Sequence, residues 1–532
     1  LFAALNEIHQ CNIIVGDISP FNIFVKEDLS VYFIDFDGAY EIGVDSNAML
    51  VTPGFVSKQR LARTVPKKHD DYYALGCIMT WMFSPVTSMM NINPDVCKCF
   101  LNEVKEDYNL PDDLVNIILT LINDDTEKEI DVASISGKLD DLTIYTKTDY
   151  NYKINENDKV RNNICEIKNF ILNTATPNRT DRLFPGNAYS PNALNVAYGA
   201  SGVLYSLYTV EKNIPNEYRN WLYRQLEYLG NYPSGLFVGL SGIAWVLAEI
   251  GMVDKAENVI NIAKNNPLLY TSSDIYSGVS GYGLANLKLY KVTNNPKYTE
   301  QAKEVGDWLI SKKHDDKNGF YWSSPEGKKF IGYAHGSSGI ALFLLYLYLI
   351  TKEKKYFDVG RNALEYDLNN AMPIDNDAKL YYSFPEIVNG RIVYPYWNKG
   401  SAGIGACLIR YLQVTNDDQL KSWLDIIVND VNRKYTIFPG LFNGLAGLGN
   451  FMLDCYVFTK EDNYLSYTHK IARGLELFGV KKDNGIGYPG DYLLRFSNDY
   501  GTGSAGILLF FNRLNNLSEN FNFMLDGLIL DI

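Results

Sequence analysis

Two residues of this chain, His335 and Asp274, have the types and positions that acid–base chemistry needs. His335 is one of five histidines in 532 residues and directly precedes Gly336 in the segment HGSSG. Asp274 lies four residues before Gly278 in DIYSG, a segment of the same kind. An imidazole and a carboxylate that converge on one cavity can perform general acid–base catalysis near neutral pH. The alternative interpretation is a histidine whose hydrogen bond is purely structural.

Both segments belong to a repeat that occurs seven times and must position the two side chains. Each copy has two glycines three residues apart, and successive first glycines are separated by 40, 39, 58, 64, 44 and 59 residues. Repeats of this length indicate a modular architecture. The first glycines are Gly199, Gly239, Gly278, Gly336, Gly400, Gly444 and Gly503.

An apolar run at helical spacing follows each copy, and a more polar helix fits between copies. These seven helix pairs predict a mainly α-helical fold, a closed α/α toroid with apolar helices inside and amphipathic helices outside. The glycines themselves are interpreted as structural, because glycine allows the tight turns and close backbone approach that converging helix starts need. If the inner helices run the same way, their positive N-termini face one rim and favour anions such as thiolates, enolates, carboxylates or phosphates.

The residue before each first glycine is expected to line this rim. His335 holds that position in the fourth repeat, and Asp274 could reach the same rim. Asp274 is the only carboxylate that we expect there. The full set of rim residues is Tyr198, Val238, Ser277, His335, Lys399, Asn443 and Thr502.

The N-terminal part of the chain lacks the glycine repeat and has its own set of polar residues. Asp17 and Asn22 lie in GDISPFN, and Asp35 opens DFDG thirteen residues after Asn22. This pattern resembles the catalytic loop and the metal-binding motif of the protein kinase C-lobe. The resemblance implies that Asp17 accepts or orients the proton of a substrate hydroxyl. It also implies that Asn22 and Asp35 hold Mg²⁺ against the phosphates of ATP or GTP.

Two further segments extend the kinase resemblance. VTPGFVSKQ at 51–59 is similar to the end of an activation segment, and DDYYALGCIM at 70–79 is similar to the helix whose aspartate, here Asp71, braces the catalytic loop. The glycine-rich loop and the ATP-anchoring lysine are expected upstream of Leu1, so nucleotide binding by this chain alone should be weak.

The kinase-like part also departs from the family pattern. Val15 and Gly16 replace the usual His-Arg pair, Ser19 replaces a lysine, and Gln59 replaces the glutamate that ends the activation segment. Without the arginine, control by a phosphorylated activation segment is not expected.

The glycine repeats, with DIYSG in the third copy and AHGSSG in the fourth, resemble the lanthionine cyclase family. A kinase in front of such a toroid resembles the class III and class IV lanthipeptide synthetases, whose order is lyase, kinase, cyclase. The resemblance implies phosphorylation of Ser and Thr in a precursor peptide, elimination of the phosphate, and addition of Cys thiols to form (methyl)lanthionine or labionin rings. It also implies an upstream lyase and a kinase N-lobe as partners.

Zinc separates the two classes. Zinc-dependent cyclases carry a Cys in the WC-x-G segment of the fifth repeat and a Cys-His pair before the sixth glycine, whereas this chain has Asn398, Phe442 and Asn443 there. We therefore expect no zinc and a class III enzyme. Our hypothesis is that Lys399 and the helix N-termini stabilise the thiolate and the enolate, while His335 shuttles the proton and Asp274 orients it. The alternative for Lys399 is a solvated charge on the rim.

Composition excludes several function classes. The net charge of −13 argues against nucleic acid and anionic membranes as partners. Apolar runs such as 339–350 are too short to span a bilayer. Seven cysteines, mostly inside apolar periodic segments, indicate reduced thiols and a cytoplasmic protein.

The sequence thus predicts a kinase-like C-lobe of α+β class over residues 1–145, a linker over 146–160 and a lanthionine cyclase-like toroid over 161–532. Two other functions stay open at this point. A non-catalytic peptide-binding scaffold would suit the missing zinc ligands and the incomplete kinase. An α/α-toroid glycosidase would need two carboxylates facing one cleft, and the expected rim offers only Asp274.

Overall fold

The computed structural model describes residues 1–46, 50–124, 130–142, 157–187, 190, 192–229, 232–374, 382–517 and 522–530. The chain divides into two compact units, Leu1–Asn151 with Tyr492–Arg495, and Tyr152–Asp491 with Phe496–Ile532. Most of the predicted linker, residues 146–156, lies outside the described residues. The remainder, residues 157–160, already forms the first turn of a helix. No helix in the described ranges is long and apolar enough to cross a membrane.

The first unit is an α+β fold whose centre is one buried helix. In chain order its helices and strands are α1 (Phe2–Gln10), β1 (Ile13–Ile14), β2 (Ile23–Val25), β3 (Val31–Phe33), β4 (Tyr40–Glu41), α2 (Lys58–Leu61), α3 (Lys68–Trp81), α4 (Val96–Tyr108), α5 (Asp112–Leu121) and α6 (Val132–Asp140). Strand β1 pairs antiparallel with β4, and β2 with β3. Helix α3 is buried on nearly all sides and packs on α5, and its charged residues lie in the first turn.

The second unit is the predicted toroid of seven helix pairs. Within the described residues its inner helices are α8 (Ala200–Glu211), α10 (Leu240–Glu249), α12 (Val279–Thr293), α14 (Ser337–Thr351), α16 (Ser401–Thr415), α18 (Leu445–Thr459) and α20 (Ser504–Asn516). The outer helices are α7 (Asn157–Asn173), α9 (Asn216–Gln225), α11 (Val253–Lys264), α13 (Pro296–Lys312), α15 (Lys354–Asn369), α17 (Asp418–Val431) and α19 (Asp462–Glu476).

Contacts between helices close the ring. Each inner helix packs on the next, and α20 returns to α8. Outer helix α7 packs on α20, so the closing pair joins the first and last long helices of the unit. Inner helix α14 is buried over nearly its whole length, whereas outer helix α19 buries one face. The predicted division into apolar inner and amphipathic outer helices is confirmed.

Short elements fill the loops between the pairs. They are the hairpin β5 (His314–Asp316) and β6 (Gly319–Tyr321), the sheet β7 (Met372–Pro373), β8 (Tyr382–Pro385) and β9 (Val393–Tyr394), the hairpin β10 (Val480–Lys482) and β11 (Gly485–Gly487), and the terminal helix α21 (Gly527–Leu530).

The glycine repeat has the structural role that the sequence predicts. Each first glycine is the residue immediately before an inner helix. Each second glycine lies against the preceding loop, and a Cβ at Gly339 would lie 2.1 Å from the carbonyl oxygen of Tyr333. Gly400 has a φ of 113°, in the region that L side chains rarely adopt.

A closed ring of backbone hydrogen bonds joins the seven repeats. In each repeat the residue two before the first glycine donates its N–H to the carbonyl of the equivalent residue in the next repeat, and the seventh donates to the first. The N–O distances are 2.8, 3.0, 3.2, 3.0, 2.8, 2.8 and 2.8 Å. The ring residues, in order, are Ala197, Phe237, Tyr276, Ala334, Asn398, Phe442 and Gly501.

Aromatic side chains from this ring close its centre. The rings of Phe237, Tyr276 and Phe442 contact one another with centroid distances of 5.4 to 5.8 Å. Trp397 stacks on Phe442 at 5.8 Å. These contacts bring aromatic side chains together at the centre of the ring.

A buried ion network holds the C-terminal segment against the inner helices. Arg410 on α16 is fully buried and donates to both carboxylate oxygens of Asp526, at 2.8 and 2.6 Å, and to Asp454 on α18 at 2.8 Å. Tyr346 on α14 also donates to Asp526. Arg410 lies three turns into its helix, away from the glycine mouth, so the network stabilises the opposite part of the toroid.

Replacing Gly339 by Ala should destabilise the toroid by about 3 kcal/mol, because the new methyl group would overlap the Tyr333 carbonyl oxygen. Chemical denaturation of the purified chain measures this cost. Gly527→Ala is the matched control, since a Cβ there meets no atom within 4 Å. Equal stabilities of the two variants would contradict the structural role of the second glycine.

Candidate functional site

In the kinase-like unit the structure brings Asp17 and Asn22 together. The Asn22 carboxamide donates to the Asp17 carbonyl at 2.9 Å and lies 3.4 Å from its carboxylate. The carbonyl of Asn22 accepts a bond from Ile34 at 2.9 Å, which places Asp35 beside this pair. Asp35 is exposed and has a φ of 62°. Two carboxylates and an amide oxygen are the donor types that Mg²⁺ prefers, so the residues present fit the expected ion.

Asp71 braces the catalytic loop as predicted. Its carboxylate accepts the backbone N–H groups of Val15 and Gly16, both at 2.8 Å, and contacts Nε2 of His9 at 2.8 Å. The brace uses main-chain donors at the two positions where the usual His-Arg pair is absent. The departure at Val15 and Gly16 therefore leaves the loop's support intact.

In the toroid the predicted pair of His335 and Asp274 is formed. Nδ1 of His335 lies 3.1 Å from a carboxylate oxygen of Asp274, across 61 residues of sequence. The carboxylate can only accept, so Nδ1 carries the hydrogen, and in the neutral imidazole Nε2 then offers a lone pair. Nε2 makes no hydrogen bond in the described part of the chain, and the His335 side chain is 35% exposed. It is therefore open to a bound molecule.

Asp274 is also a structural cap. It accepts the backbone N–H groups of Ser277 at 2.6 Å and Gly278 at 2.9 Å. Asn195 in the first repeat and Asp499 in the seventh occupy the same position, four before the first glycine, and cap their turns in the same way. Burial raises the pKa of Asp274, but hydrogen bonds and the His335 charge outweigh it and hold the pKa below its ordinary value. In the third repeat the capping carboxylate therefore has His335 as an additional partner.

Aromatic groups surround the imidazole. The Tyr276 ring lies 4.9 Å from His335, and Phe330 lies 5.6 Å away, centroid to centroid. The hydroxyls of Tyr276 and Tyr198 are 3.1 Å apart. Burial raises the pKa of Tyr198 to about 12, so this hydroxyl is neutral at physiological pH. The aromatic rings and the neutral hydroxyl make the surroundings of the His335–Asp274 pair less polar.

Lys399 has a partner that the sequence did not suggest. Its Nζ lies 3.0 Å from Oε2 of Glu386 and 4.7 Å from the centre of the Tyr394 ring. Both charges are partly exposed. Glu386 follows strand β8, outside the glycine segments, which is why the repeat pattern did not point to it.

The expectation that Asp274 is the only carboxylate at the mouth is wrong. Asp499 and Asp491 also interact electrostatically with Tyr198, and Asp491 interacts with Lys399. Burial, together with the Asp499 charge, raises the pKa of Asp491 to about 6, while Lys399 opposes the rise. Asp491 lies in a loop between the sixth and seventh repeats, so the only sequence signal was a carboxylate next to glycine in YPGD.

The two cysteines on the inner helices are buried as neutral thiols and not exposed as thiolates. Cys407 and Cys455 are fully buried, and burial raises the pKa of each thiol well above its ordinary value. In the ranges that the structure describes, no three His, Cys, Asp or Glu side chains group as a metal site.

Comparison with known proteins identifies the toroid. Residues 214–525, more than half of the chain, match the family described as lanthionine synthetase C-like protein. The chain belongs to this family. Residues 1–138 match the protein kinase domain. The two resemblances seen in the sequence are confirmed, and the lanthionine synthetase C-like domain carries the His335–Asp274 pair.

Curated relatives cover both parts of the chain. A probable SapB synthase of Streptomyces coelicolor is 26% identical over 535 aligned residues, which cover 95% of this chain and 56% of the relative. The chain therefore spans little more than half of that relative's length. The 3-phosphoinositide-dependent protein kinase 1 of Rattus norvegicus is 28% identical over 149 residues, 26% of each protein.

Solved structures with a similar helical toroid are more distant. The α-1,6-mannanase GH76A of Salegentibacter sp. HEL1_6 is 13% identical with a TM-score of 0.42, covering 68% of this chain and 100% of the mannanase. A cellobiose 2-epimerase of Spirochaeta thermophila is 12% identical with a TM-score of 0.38, covering 68% of this chain and 96% of the epimerase. Neither likeness carries a functional argument.

The stability of the domain should depend on the ionisation of Asp491. Its pKa in the folded state, about 6, exceeds the ordinary 3.8, so the folded wild type loses stability as the pH rises through this interval. Asp491→Asn should melt about 2 °C above wild type at pH 8 and at the same temperature at pH 4. Melting curves across this pH range measure the difference. The exposed Asp315→Asn is the control, and a pH-independent difference for Asp491→Asn would contradict the assignment.

Proposed function

We propose that the chain is the kinase–cyclase part of a class III lanthipeptide synthetase. The observation that carries the proposal is the His335–Asp274 pair, with Nε2 open, at the mouth of a lanthionine synthetase C-like toroid. The kinase-domain match, the lanthionine synthetase C-like match and the probable SapB synthase, similar over 95% of this chain, together support a kinase and a cyclase in one synthetase. A lyase and a kinase N-lobe would complete the enzyme.

The proposed cyclisation step is the addition of a Cys thiol to a dehydroamino acid. His335 Nε2 takes the thiol proton, the sulfur bonds to the β-carbon, and the electron pair of the carbon–carbon double bond moves into an enolate. The protonated imidazole then returns the proton to the α-carbon, so no atoms are gained or lost overall. Asp274 holds Nδ1–H and keeps Nε2 aimed into the mouth.

Negative charge develops first on sulfur and then on the enolate oxygen. We propose that Lys399 and the inner-helix N-termini stabilise both anions. Lys399 is already paired with Glu386, so substrate would share or displace this contact. The proposal needs no zinc, because Asn398, Phe442 and Asn443 stand where the zinc ligands of related cyclases lie.

For the kinase-like unit we propose phosphorylation of Ser and Thr in the same peptide. Mg²⁺ with ATP or GTP would supply the phosphoryl group and neutralise its charge. Asn22 and Asp35 would hold the ion, and Asp17 would orient the hydroxyl proton of the peptide. Asp71 keeps Asp17 and Asn22 in place through the backbone of Val15 and Gly16.

The first test of the cyclase is thiol loss from a synthetic peptide that carries one dehydroalanine and one cysteine. Mass spectrometry after alkylation counts the remaining thiols. His335→Ala should slow the reaction by roughly 10²–10⁴-fold, as expected for loss of a general acid–base group. His314→Ala, on the exposed strand β5, is the matched control. A wild-type rate no faster than the enzyme-free peptide would refute the cyclase proposal.

The turn cap allows a sharper test of Asp274. Asp274→Asn should keep the fold, because Asn195 caps the same turn in the first repeat, yet slow cyclisation roughly 10²-fold or more through loss of the charge beside His335. Asp499→Asn removes the equivalent charge in the seventh repeat and should have a much smaller effect. Similar losses in both variants would assign Asp274 a structural role only.

Lys399 and zinc are tested in the same assay. Lys399→Ala should slow cyclisation about tenfold or more, because an anion-stabilising charge is lost. A metal chelator should leave the wild-type rate unchanged. Cyclisation by Lys399→Ala at the wild-type rate would remove Lys399 from the mechanism, and loss of activity that zinc restores would reject the metal-free proposal.

A further inference from the structure

A cavity of about 270 Å³ lies at the end of the toroid opposite the mouth. It is formed by the C-terminal halves of three consecutive inner helices, α8, α10 and α12, and by residues 524–528 at the start of α21. Two buried aromatic side chains, Tyr205 and Trp245, make its floor. The edge carries Lys212 and Lys291, which are both exposed, so the cavity is reached from solvent.

The charges that line this cavity are only partly compensated. Nζ of Lys288 lies 2.5 Å from a carboxylate oxygen of Glu249, and Asp526 is held by Arg410. Lys212 and Lys291 have no carboxylate partner in the part of the chain that the structure describes. Two positive charges without a counter-charge therefore face one cavity, in a chain whose net charge is −13.

Helix ends explain part of this arrangement. Lys212 is the first residue after α8, and Lys352 and Lys460 have the same place after α14 and α18. A cation there complements the partial negative charge of a helix C-terminus, which accounts for one lysine at a helix end. Helix α12 supplies two, because Lys288 lies three residues before Lys291 on the same side of the helix.

The chemistry of the lining selects a carboxylate with an apolar neighbour. Lysine attracts anions as a point charge and lacks the two-pronged geometry with which arginine binds phosphate. The negative ends of three helices offset part of the lysine charge, so the cavity suits one carboxylate better than a doubly charged phosphate. Apolar contact is available from the aromatic floor and from Met524, Leu525 and Leu528.

The size of the cavity limits what can enter it. Its volume is below the roughly 300–1,000 Å³ of most small-molecule sites. One or two amino-acid side chains are therefore a better match than a whole cofactor. A peptide that places an acidic side chain between the two lysines, and an apolar side chain on the aromatic floor, satisfies both the charge and the volume.

We propose that this cavity binds an acidic side chain of the precursor peptide, in a segment remote from the residues that form the thioether ring. The assignment rests on the proposed cyclase function, which supplies the peptide. Helix α12 has 15 residues and is about 22 Å long, so the cavity and the mouth are separated by roughly that distance. An extended peptide covers about 3.3 Å per residue, and at least about seven residues must span the gap.

Binding is measured by fluorescence anisotropy with a labelled peptide that contains the segment Leu-Glu-Glu-Leu and has no Ser, Thr or Cys. Wild-type protein should prefer it roughly tenfold over the Leu-Gln-Gln-Leu peptide, as expected for two partly exposed ion pairs. The double variant Lys212→Ala/Lys291→Ala should lose this preference. The matched control, Lys352→Ala/Lys460→Ala, removes two exposed lysines after other inner helices and should keep it.

Two further ligands test the choice of carboxylate. A peptide with phosphoserine in place of glutamate should bind no more tightly than the glutamate peptide, and inorganic phosphate should not displace the glutamate peptide at constant ionic strength. Tighter binding of phosphoserine, or displacement by phosphate, would overturn the choice of carboxylate. No preference for glutamate in wild type, or the same preference in both double variants, would overturn the site itself.

Thiol loss separates this assignment from the cyclase proposal. A reactive peptide with two glutamates about ten residues from its dehydroalanine should have a KM roughly tenfold lower than its glutamine version at equal kcat, because the remote contact adds binding only. Lys212→Ala/Lys291→Ala should abolish this difference. Equal KM values in wild type would overturn the assignment and leave the cyclase intact. A glutamate preference in binding without thiol loss from any peptide would refute the cyclase and leave an acidic-peptide site.

Discussion

The ring of seven backbone hydrogen bonds at the mouth is the constraint on which the toroid depends. Each bond links the residue two before one glycine to its equivalent in the next repeat, and the last returns to Ala197. Such a ring closes only if every inner helix starts at the same height. The second glycine of each repeat makes this possible, because its helix start presses against a backbone carbonyl where even a methyl group would not fit. The fold is thus set by main-chain contacts, which leave the rim side chains free to differ.

That freedom explains how chemistry enters a repetitive structure. In three repeats a side chain caps the turn before the inner helix by accepting backbone N–H groups. These side chains are Asn195, Asp274 and Asp499, in the first, third and seventh repeats. In the third repeat the same carboxylate also meets His335 from the fourth. One carboxylate therefore holds a turn and orients an imidazole, so the acid–base pair adds little burial cost beyond what the turn already requires. Lys399, Asn398 and Asn443 occupy the next two repeats of the ring, beside this pair.

The two ends of the inner helices carry opposite partial charges, and different ionic groups lie near each end. At the N-terminal end the rim holds an imidazole and a lysine whose proposed ligand develops negative charge, in keeping with the positive end of a helix dipole. Farther along the helices, Arg410 and Arg513 are buried with Asp454, and Arg410 also binds Asp526. The buried charges are compensated there and hold the C-terminal segment. The aromatic contacts of Phe237, Tyr276 and Phe442 separate this network from the mouth.

The sequence by itself determined the period, the helix starts and the division between apolar and amphipathic helices, because these depend on local patterns of glycine and hydrophobic residues. It also indicated Asp17, Asn22, Asp35, His335 and Asp274, whose neighbours form recognisable segments. Only the tertiary structure decided which groups meet. Glu386 reaches Lys399 from a loop after β8, Asp491 reaches the mouth from between repeats, and α7 closes the ring on α20. These contacts join residues that are far apart in the chain. They depend on the height and angle at which the ring of repeats closes, and no local spacing of residues encodes these.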